Sequence, residues 1–230
     1  MPLTRFAFIP ISVIVASASL IQSSTAQEVE RRGRGLNEQQ QQQQVEKWNQ
    51  ILTAPRPRFN TKPNAFLVAM TKGMRPGKAL DVGMGQGRNA LYLARQGWSV
   101  TGFDPAYRAV AAAQQEAKRL GVQLTAMAVR DDQFDFGKEQ WDLIVLSYVV
   151  LRHLVPRICD ALSPGGLVVV EAFHRDATKD APTGAGVVFD TNELPSLFAC
   201  LRVVRYEEPI DLADFGLEPA RLVRFAGQKP

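Results

Sequence analysis

The chain has 230 residues, of which 46% are hydrophobic and 22% charged, and its formal net charge is +4. This balance is typical of a globular protein with one sizeable domain plus extensions. The basic residues are scattered rather than gathered into a stripe, so nucleic acid is not indicated as a partner.

Residues 1–26 have the features of a secretory signal peptide. Arg5 supplies a positive charge, residues 6–21 are mostly apolar, and the small residues 24–26 offer a cleavage site before Gln27. The apolar stretch is short for a bilayer core of roughly 30 Å, so we expect cleavage and an exported, periplasmic or secreted, protein. The alternatives are an uncleaved anchor, which would place the protein at a membrane, and a cytoplasmic protein whose leader does not function.

Residues 27–44 are polar and include a run of six glutamines. Such a segment cannot bury apolar surface, so the composition predicts a disordered, glutamine-rich linker. Residues 45–230 are then expected to form a single domain. That domain is predicted to begin with two short helices, at 45–53 and 64–72, before its first strand.

From residue 78 onward, strand and helix patterns alternate, which indicates a parallel sheet. After a loop at 174–188 and a short helix at 191–198, two strand-like segments without a long helix between them indicate an antiparallel hairpin. The fold class predicted is α/β, with a Rossmann-like seven-stranded sheet, mostly parallel with a C-terminal antiparallel hairpin, and helices on both faces. The predicted strands are 78–82, 99–103, 123–129, 141–147, 167–173, 201–206 and 221–226, and the predicted helices between them are 89–96, 106–120 and 151–162.

A glycine loop follows the first strand. Its glycines, Gly83, Gly85 and Gly87, have GxGxG spacing, whereas the dinucleotide fingerprint GxGxxG would need a glycine at Arg88. Asp81, just before the loop, would repel a pyrophosphate but attract an ammonium group. The loop therefore predicts a ligand that carries an ammonium group and no phosphate. Capping of the following helix is the alternative role for Asp81.

Further acidic residues follow the next two strands. Asp104 lies where a carboxylate can accept two hydrogen bonds from a ribose diol, although it could also cap the helix that begins at Pro105. Asp132 could accept from an adenine amino group, with Phe134 packed against the ring, or it could simply be solvated. Ser147 ends the fourth strand, at the edge where open α/β sheets bind ligands.

The segment Leu80–Ala94 (LDVGMGQGRNALYLA), followed by VTGFD ending at Asp104, resembles class I S-adenosylmethionine (SAM)-dependent methyltransferases. Its GQGRNA form is similar to the tellurite-resistance and thiopurine-methyltransferase-like branch, and the likeness covers about residues 60–228. The resemblance implies that SAM is the cofactor. It implies that the methionine end is held by the first strand and its loop, the ribose by Asp104, and the adenine by Asp132 with Phe134. The resemblance assigns the methionine end to Asp81, Gly83 and Gly85. Gly87, Arg88, Asn89 and Ser147 are also expected to bind the cofactor.

The expected reaction is methyl transfer from SAM to a small-molecule acceptor. Such transfer mainly needs an aligned nucleophile, and the sequence offers only weak candidates for a base: His174, His153 and Tyr148. We expect His153 to be a structural histidine. The Asn-Pro-Pro-Tyr signature of amino-methylating nucleic-acid enzymes is absent after the fourth strand. An exported, non-enzymatic binding module is the alternative function, and an NAD-dependent oxidoreductase is a weaker one.

Cys159 and Cys200 are the only cysteines in the chain. Export would permit a disulfide, but both lie in apolar contexts, so we expect two buried free thiols. Neither their spacing nor the two histidines predicts a metal site.

Overall fold

The computed structural model describes residues 37–149, 152–178 and 188–230. The predicted signal peptide and the first part of the predicted linker lie outside these residues. The chain divides into two compact units, residues 1–44 and 45–230. Among the described residues, none of the helices combines the length and the apolar character that a membrane span requires.

Helix α1 (Glu38–Leu52) begins earlier than the sequence predicts, because the run of glutamines expected to be disordered is helical. Asn37 and Gln40 cap it reciprocally. The Asn37 side chain accepts from the Gln40 backbone N–H at 2.8 Å, and the Gln40 side chain accepts from the Asn37 N–H at 3.0 Å. Glutamine is also a good helix former. Low complexity therefore misled the prediction for residues 38–44.

The remaining helices and strands follow the predicted alternation. The helices are α2 (Ala65–Thr71), α3 (Arg88–Arg95), α4 (Tyr107–Leu120), α5 (Val155–Ala161) and α6 (Glu193–Leu197). The strands are β1 (Lys78–Val82), β2 (Ser99–Phe103), β3 (Leu124–Met127), β4 (Trp141–Ser147), β5 (Leu162–His174), β6 (Val188–Phe189), β7 (Arg202–Glu207), β8 (Ile210–Leu212) and β9 (Pro219–Gln228). Short 3₁₀ turns occupy Arg152–Leu154 and Arg175–Thr178.

One sheet organises the domain, with strand order β3-β2-β1-β4-β5-β9-β7. Strands β1 to β5 are parallel, whereas β9 runs antiparallel to both β5 and β7. The predicted fold class is confirmed. The strand count differs, because β6 pairs with β5 and β8 pairs with β9. These extra strands have only two and three residues, too few to leave a period-two pattern in the sequence.

Both faces of the sheet are covered. On one face, α2 and α3 pack through Leu67 and Leu93 against β4 residues such as Leu143. On the other face, residues of α5 and α6, among them Ile158 and Leu194, pack against the opposite side chains of the same strands. Strand β4 contributes to both clusters, as its continuous apolar sequence predicts. The register aligns the ends of β1, β2 and β4 at one edge, where the site residues lie.

The structure corrects the prediction for the two cysteines. Cys159 on α5 and Cys200, just after α6, form a disulfide with their Cα atoms 6.5 Å apart. The residues are separated by 41 positions, and nothing local in the sequence signals that the fold brings α5 and the end of α6 together. The bond joins the helical layer to the start of the C-terminal hairpin.

The disulfide predicts the chemical state of the purified protein. Under denaturing, non-reducing conditions the intact protein should take up no alkylating label, and after reduction it should take up two. The double variant Cys159→Ala/Cys200→Ala should lose up to about 4 kcal/mol of stability, because the unfolded chain regains the entropy of a loop of this length. Mass spectrometry and urea unfolding measure these effects. Labelling of the unreduced protein would contradict the bond.

Candidate functional site

The glycine loop lies between the end of β1 and the start of α3. All three of its glycines have positive φ, +65° at Gly83, +54° at Gly85 and +76° at Gly87. A Cβ atom on Gly83 would lie 2.5 Å from Cγ2 of Val149, and one on Gly85 would lie 3.3 Å from Cδ2 of Leu52. The first two glycines are therefore required both by backbone conformation and by the close approach of neighbouring side chains.

Asp81 is buried at the end of β1, and its Oδ2 accepts a hydrogen bond from the Ala90 N–H at 3.0 Å. The alternative role in capping is therefore present in the structure. Burial raises the pKa of Asp81 to about 7, opposed mainly by the positive charge of Arg88. A ligand that brought an ammonium group to this carboxyl would favour its ionised form.

Asp104 connects the tip of β2 to the glycine loop. Its Oδ2 accepts from the Gly85 N–H at 3.0 Å and its Oδ1 accepts from the Ala106 N–H at 2.7 Å. Burial raises the pKa of this carboxyl as well. Each oxygen keeps lone-pair capacity for a further donor, so these bonds position Asp104 without excluding recognition of a diol.

Arg88 and Asn89 begin α3, and the side chains of both form hydrogen bonds with other segments of the chain. Arg88 Nη1 donates to Oδ2 of Asp214 at 2.7 Å and to the carbonyl of Lys62 at 3.1 Å. Oδ1 of Asn89 accepts from the Asn64 N–H at 2.9 Å. The start of the helix is thereby fixed to the segment before β1 and to the C-terminal hairpin.

A buried polar network continues from these contacts. Asn64 Nδ2 donates to Oε1 of Glu171 at 2.6 Å and to Oδ2 of Asp214 at 2.8 Å. Arg224 Nε donates to the other oxygen of Glu171, also at 2.6 Å. Neither Asn64 nor Asp214 is predicted as a site residue from the sequence. Asn64 is recognisable only as the cap of α2, and nothing around Asp214 in the sequence signals its role.

Tyr148 belongs to the same network. Its hydroxyl donates to Glu171 Oε1 at 3.0 Å and accepts from the Asp214 N–H at 3.1 Å. The residue adopts φ of +58°, an uncommon conformation for a side chain of this size. Burial and the nearby Glu171 raise the pKa of Tyr148, so its hydroxyl keeps its proton and is a poor candidate for a general base.

The two histidines differ from each other. His174 is buried, with Nδ1 accepting from the Asp176 N–H at 3.1 Å and Nε2 lying 2.9 Å from Oγ1 of Thr191. Both ring nitrogens are thus engaged in local structure. His153 was expected to be the structural histidine, but its side chain is 66% exposed and lies 3.2 Å from Asp131. The 3₁₀ turn of Arg152–Leu154 places it outward rather than on the apolar helix face that the sequence suggested.

Asp132 and Phe134, which are predicted to contact the adenine ring of the cofactor, lie in different surroundings. Asp132 is exposed and forms a bidentate pair with Arg130, at 3.0 and 2.7 Å. Phe134 is buried and stacks on Phe103, with ring centroids 4.2 Å apart. Ser147 is partly buried at the end of β4. The adenine assignment stays a prediction, and it would require Asp132 to exchange Arg130 for the ligand.

Metal chemistry has no candidate centre in residues 37–149, 152–178 and 188–230. Within these ranges no group of three or more histidine, cysteine, aspartate or glutamate side chains is arranged to hold a metal ion.

Comparison with known proteins points to one family. The family described as Tellurite resistance protein TehB matches residues 58–215, more than half of the chain. A curated relative, the probable S-adenosyl-L-methionine-dependent methyltransferase TehB of Haemophilus influenzae, is 28% identical over 159 residues, which are 66% of this chain and 55% of the relative. The chain spans about half the length of the curated relatives it matches.

Two solved structures share the fold. TehB from Haemophilus influenzae has a TM-score of 0.63 at 20% identity and covers 73% of this chain and 62% of its own. The N-methyltransferase NodS from Bradyrhizobium japonicum, in complex with S-adenosyl-L-homocysteine (SAH), also has a TM-score of 0.63, at 18% identity, with 81% and 98% covered. At this level of identity, the likeness establishes the architecture.

The raised pKa of Asp81 predicts a pH-dependent difference in stability. Between pH 3.8, the ordinary pKa of this carboxyl, and about pH 7, its pKa in the folded protein, the folded state binds more protons than the unfolded state. The contribution of Asp81 to stability therefore falls as the pH rises through that window. Asp81→Asn keeps an acceptor for the Ala90 N–H and removes the buried charge. The variant should therefore gain stability relative to the wild type as the pH rises from 3.8 to about 7, the window between the two pKa values.

Urea unfolding at several pH values measures this difference. Asp160→Asn is the matched control, because it makes the same exchange at an exposed position of α5, and the pH-dependent gain of Asp81→Asn is measured against it. A difference between Asp81→Asn and the wild type that stays constant across this range would contradict the burial of an ionisable carboxyl.

Proposed function

Because the chain belongs to the family of the tellurite resistance protein TehB, we propose that it is a SAM-dependent methyltransferase that acts on a small-molecule acceptor. The observation that carries this proposal is the pair of buried carboxylates, Asp81 and Asp104, on either side of a glycine loop. SAM, when bound, would supply a methyl group on a sulfonium, which needs no metal or redox partner.

The residues present fit SAM better than the alternatives. Asp81 would meet the ammonium group of the methionine end and Asp104 the ribose diol, while the close-packed glycine loop would lie along the chain between them. A dinucleotide would instead bring a pyrophosphate next to buried Asp81, which repulsion disfavours. This charge distribution opposes the NAD-dependent oxidoreductase.

The network around Glu171 bears on how the acceptor would react. Glu171 receives hydrogen bonds from Asn64, Tyr148 and Arg224 through both of its oxygens, so this network holds it in place rather than leaving it free to turn toward an acceptor. Tyr148 keeps its proton. The proposed enzyme therefore acts mainly by holding an already nucleophilic acceptor in line with the methyl group.

Localisation is a separate proposal. We propose that the leader at residues 1–26 is cleaved and that the protein is exported. The disulfide between Cys159 and Cys200 supports this proposal, since such bonds persist in oxidising compartments and are rare in the cytosol. Export also motivates the second candidate function, a non-enzymatic binding module, because SAM is a cytosolic metabolite.

Calorimetric titration of the full-length protein with SAH tests the cofactor assignment. We expect saturable binding at a single site. Asp104→Ala should weaken it at least about tenfold, since a hydrogen bond to a charged group is worth about 1.5–3 kcal/mol. Asp160→Asn serves again as the control and should bind like the wild type. Absence of binding at millimolar SAH would count against the methyltransferase, and unchanged affinity of Asp104→Ala would leave Asp104 with only its structural bonds.

Turnover separates an enzyme from a binding module. With SAM and a panel of thiol, amine, hydroxyl and metalloid oxyanion acceptors, an enzyme forms SAH and the methylated acceptor in equal amounts. A protein that binds SAH but produces neither across the panel would favour the binding module.

The mature N-terminus tests export. Mass spectrometry of the protein from its native cells should find a chain that begins at Gln27. Retention of Met1 would contradict cleavage and favour the anchor or the cytoplasmic alternative.

A further inference from the structure

Asn49 is a buried side-chain amide on α1 whose oxygen is hydrogen-bonded and whose nitrogen is not. Its side chain is fully buried, and Oδ1 accepts from the Arg108 backbone N–H at 2.9 Å. Its Nδ2 finds no hydrogen-bond partner anywhere in the described part of the chain. A buried amide donor without an acceptor is unfavourable and uncommon in folded proteins, so a ligand is a natural candidate to satisfy it.

The orientation of this amide is fixed by its partner. If the oxygen and nitrogen of Asn49 were exchanged, the NH₂ group would face the N–H of Arg108, and two donors would meet. The oxygen therefore stays on Arg108. The unpaired group is a donor, and it requires an acceptor from outside the described part of the chain.

The neighbourhood of Asn49 is the ribose side of the proposed cofactor site. Leu52, three residues further along α1, approaches Gly85 closely and packs with Ala106. The N–H groups of Gly85 and Ala106 are the two that Asp104 binds. Asn49 itself binds Arg108, two residues after Ala106. Helix α1 thus covers the end of β2, where Asp104 lies.

We propose that Asn49 Nδ2 donates a hydrogen bond to a ribose hydroxyl oxygen of SAM. The inference rests on the proposed function, since it deepens the same site. Asp104 accepts through its oxygens and so engages the hydroxyl hydrogens of the diol, which leaves oxygen lone pairs unmatched. The amide of Asn49 supplies the complementary donor. Together the two residues recognise an intact ribose and discriminate against its deoxy forms.

The test uses full-length protein and calorimetric titration with SAH and its 2′-deoxy and 3′-deoxy analogues. Asn49→Asp keeps the acceptor for Arg108, removes the donor and presents a carboxylate to the hydroxyl lone pairs. We expect it to bind SAH at least about tenfold more weakly than the wild type does, as the loss of a buried hydrogen bond implies. For at least one deoxy analogue the loss should fall below about threefold, because the hydroxyl that Asn49 contacts is already missing.

Two variants serve as controls. Gln50→Glu makes the same amide-to-carboxylate change at an exposed position of α1 and should bind SAH like the wild type. If Asn49→Asp does not fold, Asn49→Ala removes the donor without adding a charge, and it should show the same difference between SAH and the deoxy analogue.

The outcomes separate this inference from the function on which it rests. SAH affinity within about twofold of the wild type in a folded Asn49 variant would overturn the contact, as would equal losses for SAH and both deoxy analogues. In either case, SAH binding by the wild type would leave the proposed function standing. Failure of the wild type to bind SAH would overturn both.

Discussion

Burial of three carboxylates at one edge of the sheet is the constraint on which the site depends. Asp81 and Glu171 lie within β1 and β5, Asp104 directly follows β2, and all three are nearly inaccessible to water. A buried carboxylate without donors would be severely destabilising, so the chain must bring N–H, hydroxyl and guanidinium groups to that edge. The glycine loop supplies the Gly85 N–H to Asp104, and β9 supplies the Arg224 guanidinium to Glu171. The positions of these loops therefore depend on the buried carboxylates that they surround.

The sequence predicts the regular part of this arrangement well. Strands β1, β2 and β4 have the predicted bounds, because each is an apolar run that is bounded by polar residues or glycine. The predicted positions of Asp81 and Asp104 at strand ends beside the glycine loop are also found, since they follow from strand ends and loop spacing alone, whereas their roles toward a ligand stay predictions. Short-range pattern is sufficient wherever the determining contacts lie within one βαβ unit.

Long-range contacts account for what the sequence does not reveal. Asp214 is 126 positions from Arg88 and 150 from Asn64, and only the closed sheet brings the three together. The disulfide is likewise a product of tertiary packing. The early start of α1 has a different cause, because its reciprocal cap at Asn37 was hidden by the low complexity of the glutamines that follow.

The ion pair between Arg88 and Asp214 also bears on the order in which the protein can become functional. The glycine loop is synthesised early, yet the residue that anchors the start of α3 belongs to the last tenth of the chain. A nascent chain therefore carries the whole loop long before the hairpin that completes its surroundings. A polypeptide translocated in an unfolded state would reach its destination with the pocket unassembled, and it would have to acquire its small-molecule ligand there rather than carry one from the site of synthesis.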